Sequence, residues 1–259
     1  MTNAQTTAGQ SLMAHLLELR NRLLKVFIVV LLVFTVLFPF SESLYLYISE
    51  PLRDFLPSAS TMIATEVTSP FLTPFKLALV SAMFISMPYI LHQLWAFVAP
   101  ALYQQEKKIV VPLFCASVIL FYAGMVFAYY LVFPLVFMFF TSVAPEGISV
   151  MPDIRAYLDF VLKLFMAFGL SFQIPIAVVI LSWLGTINPD NLAKKRPYVF
   201  VLCFVVGMLL TPPDPFSQSM LAVPMWLLFE MGLLIGRLIK RSPKETEAAT
   251  TGQLDKSDS

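Results

Sequence analysis

Histidine, cysteine, glycine and charge are all scarce in this chain of 259 residues, and each shortage excludes something. The two histidines, His15 and His92, are too far apart for an HExxH zinc motif. Cys115 and Cys203 form no CxxC pair, which argues against a disulfide framework or a structural zinc site. The nine glycines are spread thinly and make neither GxxxxGK nor GxGxxG, so nucleotide hydrolysis is not expected. No GxSxG nucleophile elbow occurs. His92 has no acidic residue in its own apolar stretch and no serine within five positions, so an intramembrane protease has no local dyad. No enzyme reading has positive support, and no metal or cofactor is expected. Only 13% of residues are charged, against about 25% in soluble domains. That leaves too little polar surface to cover a water-soluble globule. A net charge of +1 gives no basic field for nucleic acid.

What is present is apolar. Hydrophobic residues make up 58% of the chain, and the mean hydropathy is +0.80. The expected class is an all-α polytopic membrane protein. Charge-free stretches run over 26–41, 77–105, 109–145, 164–189, 197–213 and 215–229, the last continuing to 236 past Glu230. A span needs about 20 apolar residues. Six spans are predicted, near 23–40, 75–100, 109–134, 156–184, 197–211 and 217–236. Pro39 marks the exit of the first. Pro74 suits the first turn of the second, Pro88 should kink it and Pro100 should end it. The third stretch is too long for one span, and Pro134 is expected to divide it. The fifth is short, about 22 Å as a helix.

Lys and Arg set orientation. With six spans, thirteen of the seventeen fall on the side of the termini and four on the other. Both termini are therefore expected in the cytoplasm. Residues 1–22 read as a cytoplasmic amphipathic segment, 23–236 as the membrane domain, and 237–259 as a disordered cytoplasmic tail. No small-residue cleavage site follows the first stretch, so it reads as a retained span. Residues 41–73 read as short interfacial helices that cap the bundle. Asp159 and Lys163 are spaced for an i,i+4 ion pair.

Several polar residues stand out, each with a bland and a sharp reading. Glu18 and Glu106 are acids among basic neighbours. Glu18 could simply pair with Arg22, and Glu106 could complement a helix N-terminus. Together they could instead accept a cationic ligand, since a carboxylate takes a guanidinium in two-point geometry. Gln173, near the middle of the fourth span, is expected to hydrogen-bond between helices, with Pro175 kinking the chain beside it. Glu230 is an ionisable group inside the sixth span, and is expected either to pair with a basic neighbour or to serve function. Asp214, in the turn Thr211-Pro212-Pro213-Asp214-Pro215, should cap the sixth helix. Gly232 and Gly236 form one GxxxG, a candidate packing face.

Several of these segments carry a family resemblance. His15-Leu16-Leu17-Glu18-Leu19-Arg20-Asn21-Arg22-Leu23 resembles the HLxELRxRL opening of the TatC family, the multispanning receptor subunits of the twin-arginine, Sec-independent protein translocase. Ser69-Pro70-Phe71, Pro74-Phe75-Lys76, Gln93–Leu102, Glu106-Lys107-Lys108, Phe121–Gly124, Phe165–Gly169, Lys194–Tyr198 and Leu210–Asp214 match in order. The resemblance implies a signal-peptide receptor and assembly core that exports folded proteins across the bacterial inner membrane, driven by the proton-motive force. It assigns Glu18 and Glu106 to the paired arginines of the signal peptide, with Arg20 and Phe97 beside them. It ties Pro51 and Asp214 to the outer face. It places docking of single-span TatA- and TatB-like partners at Met208, Thr211 and Gln218, and implies self-association in a receptor complex. Where many relatives carry glutamate in the fourth span, this chain has Gln173. The rival expectation is an ion-coupled small-solute transporter, which would lean on Gln173 and Glu230 at the membrane midplane.

Overall fold

Proline and short polar caps set most helix boundaries in the computed structural model of the chain. It describes residues 3–55, 62–102, 107–142, 151–184, 187–211 and 214–254. These form α1 (Asn3–Leu37), α2 (Ser41–Phe55), α3 (Ser69–Ile85), α4 (Met87–Leu102), α5 (Lys107–Phe127), α6 (Phe133–Ser142), α7 (Ile154–Ser171), α8 (Ile174–Trp183), α9 (Pro189–Ala193), α10 (Arg196–Leu210) and α11 (Pro215–Leu254). Among the described residues the sole strand-like pairing is one isolated bridge, Ile63 to Asp153. The chain divides into two compact units, Met1–Val118 with Pro145–Leu162, and Ile119–Ala144 with Lys163–Ser259.

In the first unit α1 packs on α3 and α4, and α2 on α3. Phe34 and Phe38 meet Phe75 edge-on, with ring centroids 5.2 and 5.9 Å away. Leu77, Ala78 and Ala82 of α3 are fully buried. Pro88 has no N–H for the carbonyl of Phe84, and here the helix breaks. The chain bends by 49° between Ser69–Ile85 and Met87–Phe97. The segments that lead into α3 and α7 are joined by backbone bonds, Ile63 N–H to Pro152 O at 3.1 Å and Ile154 N–H to Ile63 O at 2.9 Å. Asp153 caps α7, its Oδ1 accepting from the N–H groups of Arg155 and Ala156, each at 2.9 Å. Tyr157 donates its hydroxyl to Ile48 O at 2.7 Å and so ties α7 to α2.

The second unit is organised around α11, which packs on α8, α10 and α9. Val178, Phe229 and Leu233 form its buried core, with Ile174, Leu192 and Val199 against them. Lipid offers no hydrophobic drive between helices, so close approach matters most. The glycines supply it. A Cβ on Gly232 would stand 2.9 Å from Pro175 Cα, and one on Gly236 3.1 Å from Ser182 Oγ. The GxxxG is thus a packing face, against α8. Asp214 caps α11, its Oδ2 accepting from Ser217 N–H at 2.7 Å, and Pro215 opens the helix.

Several sequence expectations need correction. Pro134 does not divide the third apolar stretch. A π-helical turn at Ala128–Val132 precedes it, and Val110–Phe140 runs on as one helical stretch. The wider turn accommodates a ring that lacks an N–H donor. The second span starts at Ser69, where Pro70 takes the first turn, so Pro74 lies inside the helix. Pro100 does not end α4, which continues to Leu102. Asp159 pairs with Lys76 of α3 at 2.6 Å, not with its i,i+4 neighbour. The last helix is drawn to Leu254; lysine, glutamate and alanine there favour helix.

Among the described residues four helical runs are long and apolar enough to cross a membrane: Leu16–Glu50, Val110–Phe140, Ile154–Trp183 and Pro215–Leu238. The bent pair makes a fifth if counted as one span, and Arg196–Leu210 is apolar but short. The protein is all-α and polytopic.

Candidate functional site

Among the described side chains, the inward stripe of α1 starts with charge. Along this helix the half-buried positions are Glu18, Arg22 and Val26, then Val29, Val30, Val33, Phe34 and Leu37. Their spacing of three and four is one helical face, the one turned to α3 and α4. Leu19, Leu23 and Phe27 beside them are exposed. So the first contacts of this face are made by an acid and an arginine.

Arg22 is the hub. Its Nε and Nη2 donate to Glu18 Oε1 at 3.0 and 2.6 Å. Its Nη1 donates to Gln93 Oε1 at 3.2 Å, and Nη2 also reaches the carbonyl of Ala96 at 3.2 Å. That carbonyl is available for a covalent reason. Its helical partner four residues on is Pro100, which has no N–H. Arg22 thus fills the gap that Pro100 leaves in α4. Trp95 Nε1 donates to Ser117 Oγ at 3.2 Å and anchors α4 on α5.

The Glu18 carboxylate hangs on this hub at one oxygen. Among the described residues Oε2 accepts no hydrogen bond, and the side chain is 43% exposed against 24% for Arg22. An ionised carboxylate with one open oxygen accepts an ammonium or a guanidinium. The bland expectation, pairing with Arg22, is met, and it leaves the acid room for a second cation. Arg20 is exposed, its Nη2 3.3 Å from Asn21 Oδ1. Phe97 is half-buried on α4, next to Ala96. Glu106 lies outside the described residues. Neither Gln93 nor Ala96 was singled out from sequence. The one available clue was the proline four residues past Ala96.

The remaining expected residues lie elsewhere. Met208 is 47% exposed on α10, whereas Thr211 is buried, its hydroxyl on Gly207 O at 3.0 Å. Gln218 donates its amide to Phe204 O at 2.7 Å, joining α11 to α10. Of these three, Met208 presents open surface, Gln218 holds the joint between α11 and α10, and Thr211 bonds back into the last turn of α10. Glu230 meets Arg196 of α10 at 2.6 Å, which realises the basic-neighbour reading. Gln173 is half-buried at the α7–α8 junction, its carbonyl accepting from Ala177 N–H at 2.9 Å. Pro51 falls in α2, with its side chain outside the described ones. No cluster of three or more metal-ligating side chains exists among the described residues.

The segments that lead into α3 and α7 hold a polar knot that sequence reasoning missed. Asp153 Oδ2 accepts from the N–H and hydroxyl of Thr65 at 2.9 and 2.7 Å. The Thr65 hydroxyl, with the N–H groups of Ala156 and Thr65, holds its carboxyl down at about 2. Arg155 pairs with Glu66 alongside.

Comparison with known proteins shows the family. Residues 14–224 match the family described as Sec-independent protein translocase protein (TatC). The TatC protein of Azotobacter chroococcum is 56% identical over 93% of this chain and 94% of its own. That of Haemophilus influenzae is 55% identical over 93% of each, and that of Escherichia coli K12 is 55% identical over 88% of each. A crystal structure titled as the twin arginine translocase receptor TatC superposes with a TM-score of 0.79, at 35% identity, over 86% of this chain and 98% of that one. The chain belongs to the TatC family of Sec-independent protein translocase proteins and is a multi-pass protein of the bacterial inner membrane.

Proposed function

We propose that this chain is the signal-peptide receptor and assembly core of a twin-arginine translocase. The observation that carries the reading is Glu18 itself. It is half-exposed, bonded at one oxygen, and held in place through Arg22 and α4. One arginine of an incoming signal peptide binds there, and Glu106 takes the other. Arg20 and Phe97 line the approach. The thirteen basic residues on the side of the termini support six spans with both ends in the cytoplasm, the side on which unexported cargo waits.

Export itself needs partners. TatA- and TatB-like single-span helices dock on the open apolar face around Met208, where Val205 and Leu209 are also exposed. Thr211 and Gln218 keep that face rigid, Asp214 and Pro51 belong to the outer cap, and copies of the chain associate in the receptor complex. The proton-motive force supplies the energy.

The test is charge reversal with site-specific crosslinking in membranes. Glu18→Lys and Glu106→Lys should each abolish crosslinking of a twin-arginine signal peptide, while the protein still inserts and co-purifies with its partners. Undiminished crosslinking in both variants would overturn the assignment.

A further inference from the structure

Arg22 already does to Glu18 what a guest arginine must do. Its Nε and Nη2 both fall on Oε1, at 3.0 and 2.6 Å, and so use both lone pairs of that oxygen. Oε2 is left over. A guest therefore finds one oxygen at once, and a two-point guanidinium bond requires Arg22 to release Oε1. Release does not strand the Arg22 charge. Gln93 Oε1 and the Ala96 carbonyl, each 3.2 Å away, hold it on α4 when Glu18 lets go. The Ala96 carbonyl is a lasting partner, because Pro100 cannot compete for it.

From this we infer that Arg22 is the resident occupant of the Glu18 site and sets its selectivity for guanidinium over ammonium guests. The inference rests on the reading that Glu18 receives a signal-peptide arginine. A guest arginine replaces two charge-assisted bonds with two of the same kind, across both oxygens. A guest lysine is a point charge with no planar fork. It reaches Oε2 but does not match the fork it must expel from Oε1. The resident arginine thereby turns one carboxylate into a discriminator. Arg22 acts through Glu18, so it is a positioning residue.

The experiment measures binding of a synthetic signal peptide carrying Arg-Arg, and of its Lys-Lys counterpart, to the full-length chain in proteoliposomes. In Arg22→Gln the Lys-Lys peptide should gain more than the Arg-Arg peptide, and their affinity ratio should fall by about tenfold, the loss of one charge-assisted bond. Gln93→Leu, with Arg22 intact, removes part of the retreat. It should weaken Arg-Arg binding about threefold, and do nothing when combined with Arg22→Gln. Opposite signs for these two variants are not what a merely structural joint gives. Lys25→Gln removes the same charge nearby and should leave the ratio unchanged. If Arg22→Gln fails to fold, Arg22→Lys serves, with a ratio between wild type and unity. An unchanged ratio in the Arg22 variant, weaker Arg-Arg binding there, or an equal shift in Lys25→Gln would overturn the inference with the receptor reading intact. Glu18→Gln is the separate control. If it binds both peptides like wild type, Glu18 is not the receptor site and the inference falls with that reading.

Discussion

Two arginine–glutamate pairs, each closed at 2.6 Å, have opposite fates in this molecule. Glu18–Arg22 lies within one helix, and its acid is the more open partner, 43% exposed against 24%. Glu230–Arg196 joins α11 to α10, and there the acid is the sequestered partner, 18% exposed against 42%. In the second pair Glu230 Oε1 and Arg196 Nε are also buried without any hydrogen-bond partner. The same two side chains thus make a joint in one place and, on the function proposed above, a docking point in the other. Chemistry does not separate them. What separates them is which partner faces outward: on α1, whose inward stripe is only half-buried, it is the acid, whereas on α11, packed against α8, α9 and α10, the acid is turned in.

Breaking the joint should cost most. Arg196→Leu leaves the Glu230 carboxylate without its ion-pair partner and close to lipid-facing residues. A loss of about 3 kcal/mol is expected in reversible detergent unfolding. A Glu230→Gln change in that background should recover much of it, since the stranded charge is then gone. Gly232→Val should come next, at about 2 kcal/mol, because the added carbon meets backbone, Pro175 Cα at 2.9 Å, and backbone cannot swing away. Glu18→Gln should cost no more than about 0.5 kcal/mol, as a half-exposed i,i+4 pair is worth little. Yet it should lose the crosslink to a twin-arginine peptide. If Arg196→Leu proved as mild as Glu18→Gln, the distinction between joint and docking point would collapse.

Much of this was legible in the sequence, for identifiable reasons. Scarce charge gave the class, because lipid excludes it. Local rules gave the caps at Asp214 and the kink at Pro88, since both act within one turn. The GxxxG told of close packing but not of its partner, α8. Local rules also misled where a wider context absorbed a proline, as the π-helical turn does for Pro134. They misled again where a distant partner lay closer, as Lys76 does for Asp159. Glu18 was visible as an acid among bases. Its holder was only half visible: the i,i+4 pair with Arg22 is local, but Gln93 and Ala96 lie 71 and 74 positions on. No periodicity reports such a distance. The knot of Asp153, Thr65, Arg155 and Glu66 was missed for the same reason, with partners 88 and 89 positions apart.

That knot supplies the smallest expected effect and a third point on the comparison, an acid neither docking nor joining helices but pinning loops. Thr65 and Ala156 hold the folded Asp153 carboxyl at about 2, whereas an unfolded aspartate titrates near ~3.9. The folded value is the lower one. Its stabilisation is therefore fully present above the unfolded value and is lost as pH falls through the folded one, within a window from about 4 to about 2. Relative to the intrinsic exchange rate at each pH, amide protection at Thr65 and Ala156 should fall across that window while protection in the α8–α11 core holds. Asp153→Asn should flatten the pH response and leave both amides faster at pH 7, because an amide has one acceptor atom and cannot serve both Thr65, now at Oδ2, and the Arg155 and Ala156 N–H groups, now at Oδ1. Equal acid sensitivity in the variant would shift the effect to Glu66 and its Arg155 partner, and Asp153 would then be a cap for α7 and nothing more.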